Sequence, residues 1–229
     1  MHIEHFTPSV VSLEQVPYLW AENEVLVFII DLKDHPLPDA DHLNEDEKVH
    51  LNTLKTEYFK NRYTVSRLVL KYLVCTLKEK SLSEIATFKD VHGRVHVCDH
   101  SDLHICISYT EDKIALALSK IDVGIDIESM RSRSVTSILK SIDRSLPDGT
   151  LSEHDSDFLL LWTLKEAYCK YSNETMFSNL TKKLDMSGFY HAMYIIDNEY
   201  ALAFITKCQY PKVKIVNLQG TDLENGLHH

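Results

Sequence analysis

The sequence lacks any apolar run of the ~18–20 residues needed to cross a bilayer. Its longest early run, Val25 to Ile30, is too short and too deep in the chain for a signal peptide. Membrane-spanning and exported classes are set aside on this ground, and a cytoplasmic protein is expected. Cysteine is sparse and scattered: Cys75, Cys98, Cys106, Cys169 and Cys208 are odd in number and never form a Cys-x-x-Cys pair. That pattern excludes a disulfide framework and fits reduced thiols. Positive charge is in deficit, with 24 Lys and Arg against 34 Asp and Glu and a formal net charge of −10. Nucleic-acid affinity comes mainly from Lys and Arg on phosphates, so no such partner is expected. An acidic average still permits a local basic pocket for a small phosphorylated ligand.

What is present is globular. The 229 residues are 44% hydrophobic, 9% aromatic and 25% charged, enough for one large core or two small ones. Glu24 to Asp31 reads as a buried β-branched strand, and Asp34 to Asp41, with Pro36 and Pro38, as a loop. A helical stretch begins at Asn44, with Glu47 at the capping-box position, and runs to about Lys80 with a break expected near Asn61. Val65, Leu68, Val69, Tyr72 and Leu73 trace its apolar stripe. Phe88 to His100, with Gly93 between alternating residues, reads as a loop or a hairpin, and three short strands follow, Ile105–Tyr109, Ile114–Ser119 and Val123–Glu128. Helices are expected over Val135–Ile142 and from Asp155 or Ser156 to Tyr171, then a hairpin of Phe189–Ile196 and Tyr200–Thr206. The chain divides on this reading into residues 1–120, residues 121–217 and a polar tail, 218–229. Strands and helices mix without regular alternation, so an α+β fold is predicted.

Two segments carry chemistry. In Val123-Gly124-Ile125-Asp126-Ile127-Glu128, strand periodicity puts Asp126 and Glu128 on one face and Ile125 and Ile127 on the other. Adjacent carboxylates repel, and a divalent cation such as Mg²⁺ resolves the conflict together with substrate phosphates. A wet acidic face on an amphipathic strand is the other reading. The second segment, Phe158 to Lys170, is apolar nearly all round yet holds Lys165, Glu166 and Lys170. Glu166 and Lys170 stand four apart on one helical face, one turn beyond Trp162. A surface ion pair is the ordinary use of that spacing; inside an apolar helix it suits a carboxylate for metal and amines for phosphate. His92, His96, Cys98, His100 and His104 fall at even positions, but their spacing matches no known zinc motif.

Gly124-Ile125-Asp126-Ile127-Glu128, followed by Trp162-Thr163-Leu164-Lys165-Glu166-Ala167-Tyr168-Cys169-Lys170, resembles the paired signature of the 4'-phosphopantetheinyl transferases. Length and the Trp…Lys-Glu-Ala form resemble the surfactin-synthetase-activating type. That resemblance implies a monomer folded as a pseudo-dimer of two similar α/β halves. It implies Mg²⁺ on Asp126, Glu128 and Glu166, with Glu166 and Lys170 as catalytic groups and Lys165 as a second cation. It further implies coenzyme A contacts at Arg62 and Arg67 of the Asn61–Lys71 segment, at Arg94 and at Ser108. Tyr109 stands where the family has a phosphate-binding histidine, Val95 where it has proline, and Cys106 where it often has asparagine. The implied reaction moves phosphopantetheine from coenzyme A to a serine of an acyl or peptidyl carrier protein. A relative that only binds coenzyme A or a carrier, and an unrelated Mg²⁺-dependent phosphohydrolase, are the alternatives.

Overall fold

The computed structural model describes residues 3–35, 40–131, 155–174 and 186–219. Within them the fold is α+β, with eleven strands and four α-helices. Two compact units share the chain. The first comprises residues 1–7, 108–111 and 122–210, the second residues 8–107, 112–121 and 211–229.

The second unit is organised by β3 (Val25–Asp31), whose residues from Val25 to Ile30 are all buried. Such a strand reads as a continuous apolar run because both its faces are covered. It pairs antiparallel with β7 (Lys113–Ser119) and parallel with β11 (Val213–Leu218). The five-stranded sheet has the order β2-β11-β3-β7-β6, with β2 at Ser9–Val11 and β6 at His104–Tyr109. Short α1 (Val16–Glu22) precedes β3. Helix α2 (Glu45–Thr53) opens with the expected capping box: Glu47 N donates to Asn44 Oδ1 at 2.9 Å, and Asn44 N to Glu47 Oε2 at 2.8 Å. Glu47 is also buried against Lys71 Nζ at 2.7 Å and accepts from the Thr87 hydroxyl. One carboxylate thus caps a helix and neutralises a buried amine.

The helix break falls at Leu54–Thr56, not near Asn61. A new N-cap explains the position: Thr56 accepts from Phe59 N at 3.3 Å and starts α3 (Glu57–Lys78), leaving Asn61 inside its second turn. Residues Tyr63 to Val74 of α3 are buried. Strands β4 (Thr87–Lys89) and β5 (Val95–Val97) form a ribbon closed at Gly93, whose φ of 92° suits glycine.

The first unit is a four-stranded sheet of order β1-β9-β10-β8, covered by α4 (Asp155–Ser172). Strands β9 (Tyr190–Ile196) and β10 (Tyr200–Thr206) form the expected hairpin, turning through Asp197 and Asn198 at φ 53° and 57°. β1 (Ile3–Phe6) adds parallel to β9, and β8 (Gly124–Ser129) antiparallel to β10. Leu159, Leu160 and Leu164 of α4 pack with Met193, Ile195, Ala201, Ala203 and Ile205. β1, β2 and β11 went unread in the sequence because each is short or gains its burial from distant partners. The expected helix Val135–Ile142 lies outside the described residues.

Candidate metal and phosphate site

Strand register decides what the acidic face of β8 sees. Ala201 of β10 lies opposite Glu128, Ala203 opposite Asp126, and Ile205 opposite Gly124. Residues directly opposite in an antiparallel pair share a face, and Ala201, Ala203 and Ile205 are the residues packed under α4. Asp126 and Glu128 therefore face the helix. The two alanines leave room there for the acidic side chains.

Gly124 sets the spacing. A Cβ on it would lie 2.1 Å from the Ala167 carbonyl oxygen and 2.7 Å from the Tyr171 Cβ, so only glycine lets β8 approach α4 this closely. The helix answers with a stripe at four-residue spacing. Trp162 donates a side-chain hydrogen bond to Glu128. One turn on, Glu166 joins the acidic pair: one oxygen from each of Asp126, Glu128 and Glu166 lies within 4.8 Å of the others. A further turn on, Lys170 Nζ meets Asp126 Oδ1 at 2.6 Å and donates to Ser108 Oγ at 2.7 Å.

Ser108 completes the group. Its hydroxyl donates to Asp126 Oδ1 at 2.6 Å and accepts from Ile127 N at 3.2 Å and from Lys170. One donor and two acceptor sites are what a hydroxyl offers. Asp126 is 1% exposed, and its Oδ2 is buried without a hydrogen-bond donor. Burial, reinforced by the Asp126 charge, pushes Glu128 up to about 7 and Glu166 up to about 8. Three crowded carboxylates, one buried oxygen without a donor and two carboxyls of raised proton affinity fit a hard divalent cation with oxygen ligands.

Of the residues singled out in the sequence, Ser108, Asp126, Glu128, Glu166 and Lys170 are thus brought together. Lys165 is half-buried on α4, with desolvation lowering its pKa, and Tyr109 is half-buried after Ser108 on β6. Arg62, Arg67 and Arg94 belong to the second unit. Arg62 lies over the rings of Tyr58 and Phe59 at 5.4 and 5.1 Å, Arg67 is buried on α3, and Arg94 is half-buried after the Gly93 turn. Sequence reasoning assigned no role to Gly124 and no partner to the Trp162 indole. The glycine was visible in the motif, but its purpose depends on a helix placed much later in the chain.

Compared with known proteins, no curated protein matches the chain. The family model described as the 4'-phosphopantetheinyl transferase superfamily matches residues 122–203. The match spans about a third of the chain and includes β8, α4, β9 and part of β10. Over the segment that carries the three carboxylates and Lys170, the chain is similar to that superfamily.

Proposed function

We propose that the protein transfers the 4'-phosphopantetheine group of coenzyme A to a serine of an acyl or peptidyl carrier protein, as a Mg²⁺-dependent cytoplasmic monomer. The observation that carries this reading is the convergence of Asp126, Glu128, Glu166 and Lys170 inside the segment similar to the superfamily. Asp126, Glu128 and Glu166 would hold the cation, which when bound supplies Lewis-acid neutralisation of the pyrophosphate. No helix among the described residues is long and apolar enough to cross a membrane. The surfactin-synthetase-activating type and the pseudo-dimer of residues 1–120 and 121–217 remain part of the proposal.

The chain's own residues have distinct tasks in this reaction. The carrier serine oxygen bonds to the phosphorus bearing pantetheine, and the pyrophosphate P–O bond breaks to release adenosine 3',5'-bisphosphate. The serine proton passes to Glu166, the one of the two shifted carboxyls whose proton affinity is raised further. Lys170 offsets charge on the departing phosphate, and Ser108 keeps the Lys170 amine and the Asp126 carboxylate aligned. Arg62, Arg67, Arg94, Ser108, Tyr109 and Lys165 are the proposed contacts to coenzyme A.

The test is incubation with coenzyme A, Mg²⁺ and a panel of apo carrier proteins, read by intact mass. One carrier should gain a single phosphopantetheine, and Asp126→Ala should cut the rate by at least ~10²-fold, as loss of a preorganised electrostatic group does. Coenzyme A binding with no mass gain on any carrier would reject transfer and favour a binding-only relative. Undiminished transfer by Asp126→Ala would reject the metal site.

A further inference from the structure

The three carboxylates of the first unit already have a cation among them, the amine of Lys170. Its Nζ lies 2.6 Å from Asp126 Oδ1 and donates to Ser108 Oγ at 2.7 Å. The Asp126 side chain is 2% exposed, against 31% for Lys170. A carboxylate enclosed to this degree is costly without a counter-charge, and Lys170 supplies one. Ser108 fixes the amine from the other side. Its hydroxyl accepts from Lys170 and from Ile127 N at 3.2 Å, and donates to the same Asp126 Oδ1 at 2.6 Å.

This arrangement divides the two oxygens of Asp126. A carboxylate offers about two acceptor sites on each oxygen. Those of Oδ1 are filled by Lys170 and Ser108, while Oδ2 is buried and meets no donor. A divalent cation held by Asp126, Glu128 and Glu166 is thereby left Oδ2, on the same carboxylate that carries the amine. Two cations on one carboxylate repel, and more strongly where water is excluded. The amine also cancels one of the three carboxylate charges before any metal arrives. A phosphate brought to the site returns negative charge and adds oxygen ligands. Cation and phosphate then strengthen each other's binding, by the reciprocity that links any two coupled sites.

We propose that Lys170 is a built-in competitor of the metal. By occupying Asp126 Oδ1, its amine keeps the affinity for a free divalent cation low, so that the cation is held firmly only together with a phosphorylated cosubstrate. That this cosubstrate is coenzyme A rests on the function proposed above. The competition itself stands on the geometry at Asp126.

Titration calorimetry with Mn²⁺ on the full chain, at one fixed pH and first without coenzyme A, tests the competition. Lys170→Met should bind Mn²⁺ about tenfold or more tightly than the parent, the scale of one nearby charge in a partly desolvated site. Lys170→Arg keeps the charge and should stay near the parent. Lys170→Gln loses the charge but still offers Asp126 Oδ1 a donor, so it should tighten binding even where Lys170→Met folds poorly. With coenzyme A present, Mn²⁺ affinity should rise steeply for the parent and less for the two neutral variants. Unchanged or weaker Mn²⁺ binding by the folded neutral variants overturns the proposal and leaves Lys170 a structural ion pair. Equal tightening by Lys170→Arg overturns it too, because charge is then not the cause. Absence of Mn²⁺ binding in the parent and every variant rejects the metal site and the competition together. If the neutral variants tighten Mn²⁺ but the parent modifies no carrier, only the transfer reading fails. If the parent transfers phosphopantetheine while those variants bind Mn²⁺ no more tightly, only the competition fails.

Discussion

At Asp126 several demands meet on one carboxylate. Oδ1 receives Lys170 and Ser108 at 2.6 Å each, while Oδ2 is buried without a donor beside two further carboxyls. Those neighbours, Glu128 at about 7 and Glu166 at about 8, bind protons more tightly in the folded chain than at their ordinary 4.5. The sign follows from linkage. A raised folded-state pKa contributes stability below the unfolded value, and that stability is lost as pH rises through the folded one. In a chelator the melting temperature should therefore fall between about pH 4.5 and pH 8. A divalent cation needs the carboxylates ionised. Added Mg²⁺ should thus raise the melting temperature by several degrees near pH 8 and hardly at all near pH 5.5, which differential scanning fluorimetry can follow. An equal Mg²⁺ effect at both pH values would contradict the assignment of Glu128 and Glu166 as ligands.

At the scale of elements, the site exists because a strand and a helix touch without side chains between them. Gly124 is the point of contact, with the Ala167 carbonyl 2.1 Å from where a Cβ would stand. Backbone on both sides cannot give way cheaply, so Gly124→Ala should force β8 and α4 apart. Urea denaturation should show a loss of about 1–3 kcal/mol, the cost of overpacking. Turnover should drop further than stability accounts for, because Asp126 and Glu128 move away from Glu166 and Lys170. A Gly124→Ala protein with parental stability and turnover would show that the approach is not tight. Element types were readable where periodicity is local. β3, β8, α4 and the β9–β10 hairpin follow from apolar runs, alternation and turn residues. The helix break was misplaced because Thr56 competes as an N-cap with an apolar pattern that continues past it.

At the scale of the whole molecule, the two units exchange chain segments. β1 from the beginning joins strands from residues 124–206, and β11 from residues 213–218 lies between β2 and β3. Ile215, Val216 and Leu218 of β11 are buried, with Val216 fully so. Ending the chain after Tyr210 should strip β2 of its neighbour and β3 of one of its two, leaving unpaired backbone groups in a buried sheet. Near-ultraviolet circular dichroism and limited proteolysis should then report loss of fixed packing within residues 8–107. A truncated chain as protease-resistant as the full one would show that β11 is dispensable.

That Asp126 and Glu128 share a face, that Trp162, Glu166 and Lys170 share another, and that Asn44 and Glu47 cap a helix could all be read from the residues alone. Each is a consequence of a local period or a local hydrogen bond, and needs no knowledge of distant residues. That the two charged faces look at one another, that Ser108 ties Lys170 to Asp126, and that Arg67 and Lys89 share a cavity became visible once the chain was folded. Those juxtapositions depend on which strands pair and how closely a helix approaches. Both are set by burial summed over residues far apart in the chain, which leaves no periodic trace in the residues that end up touching.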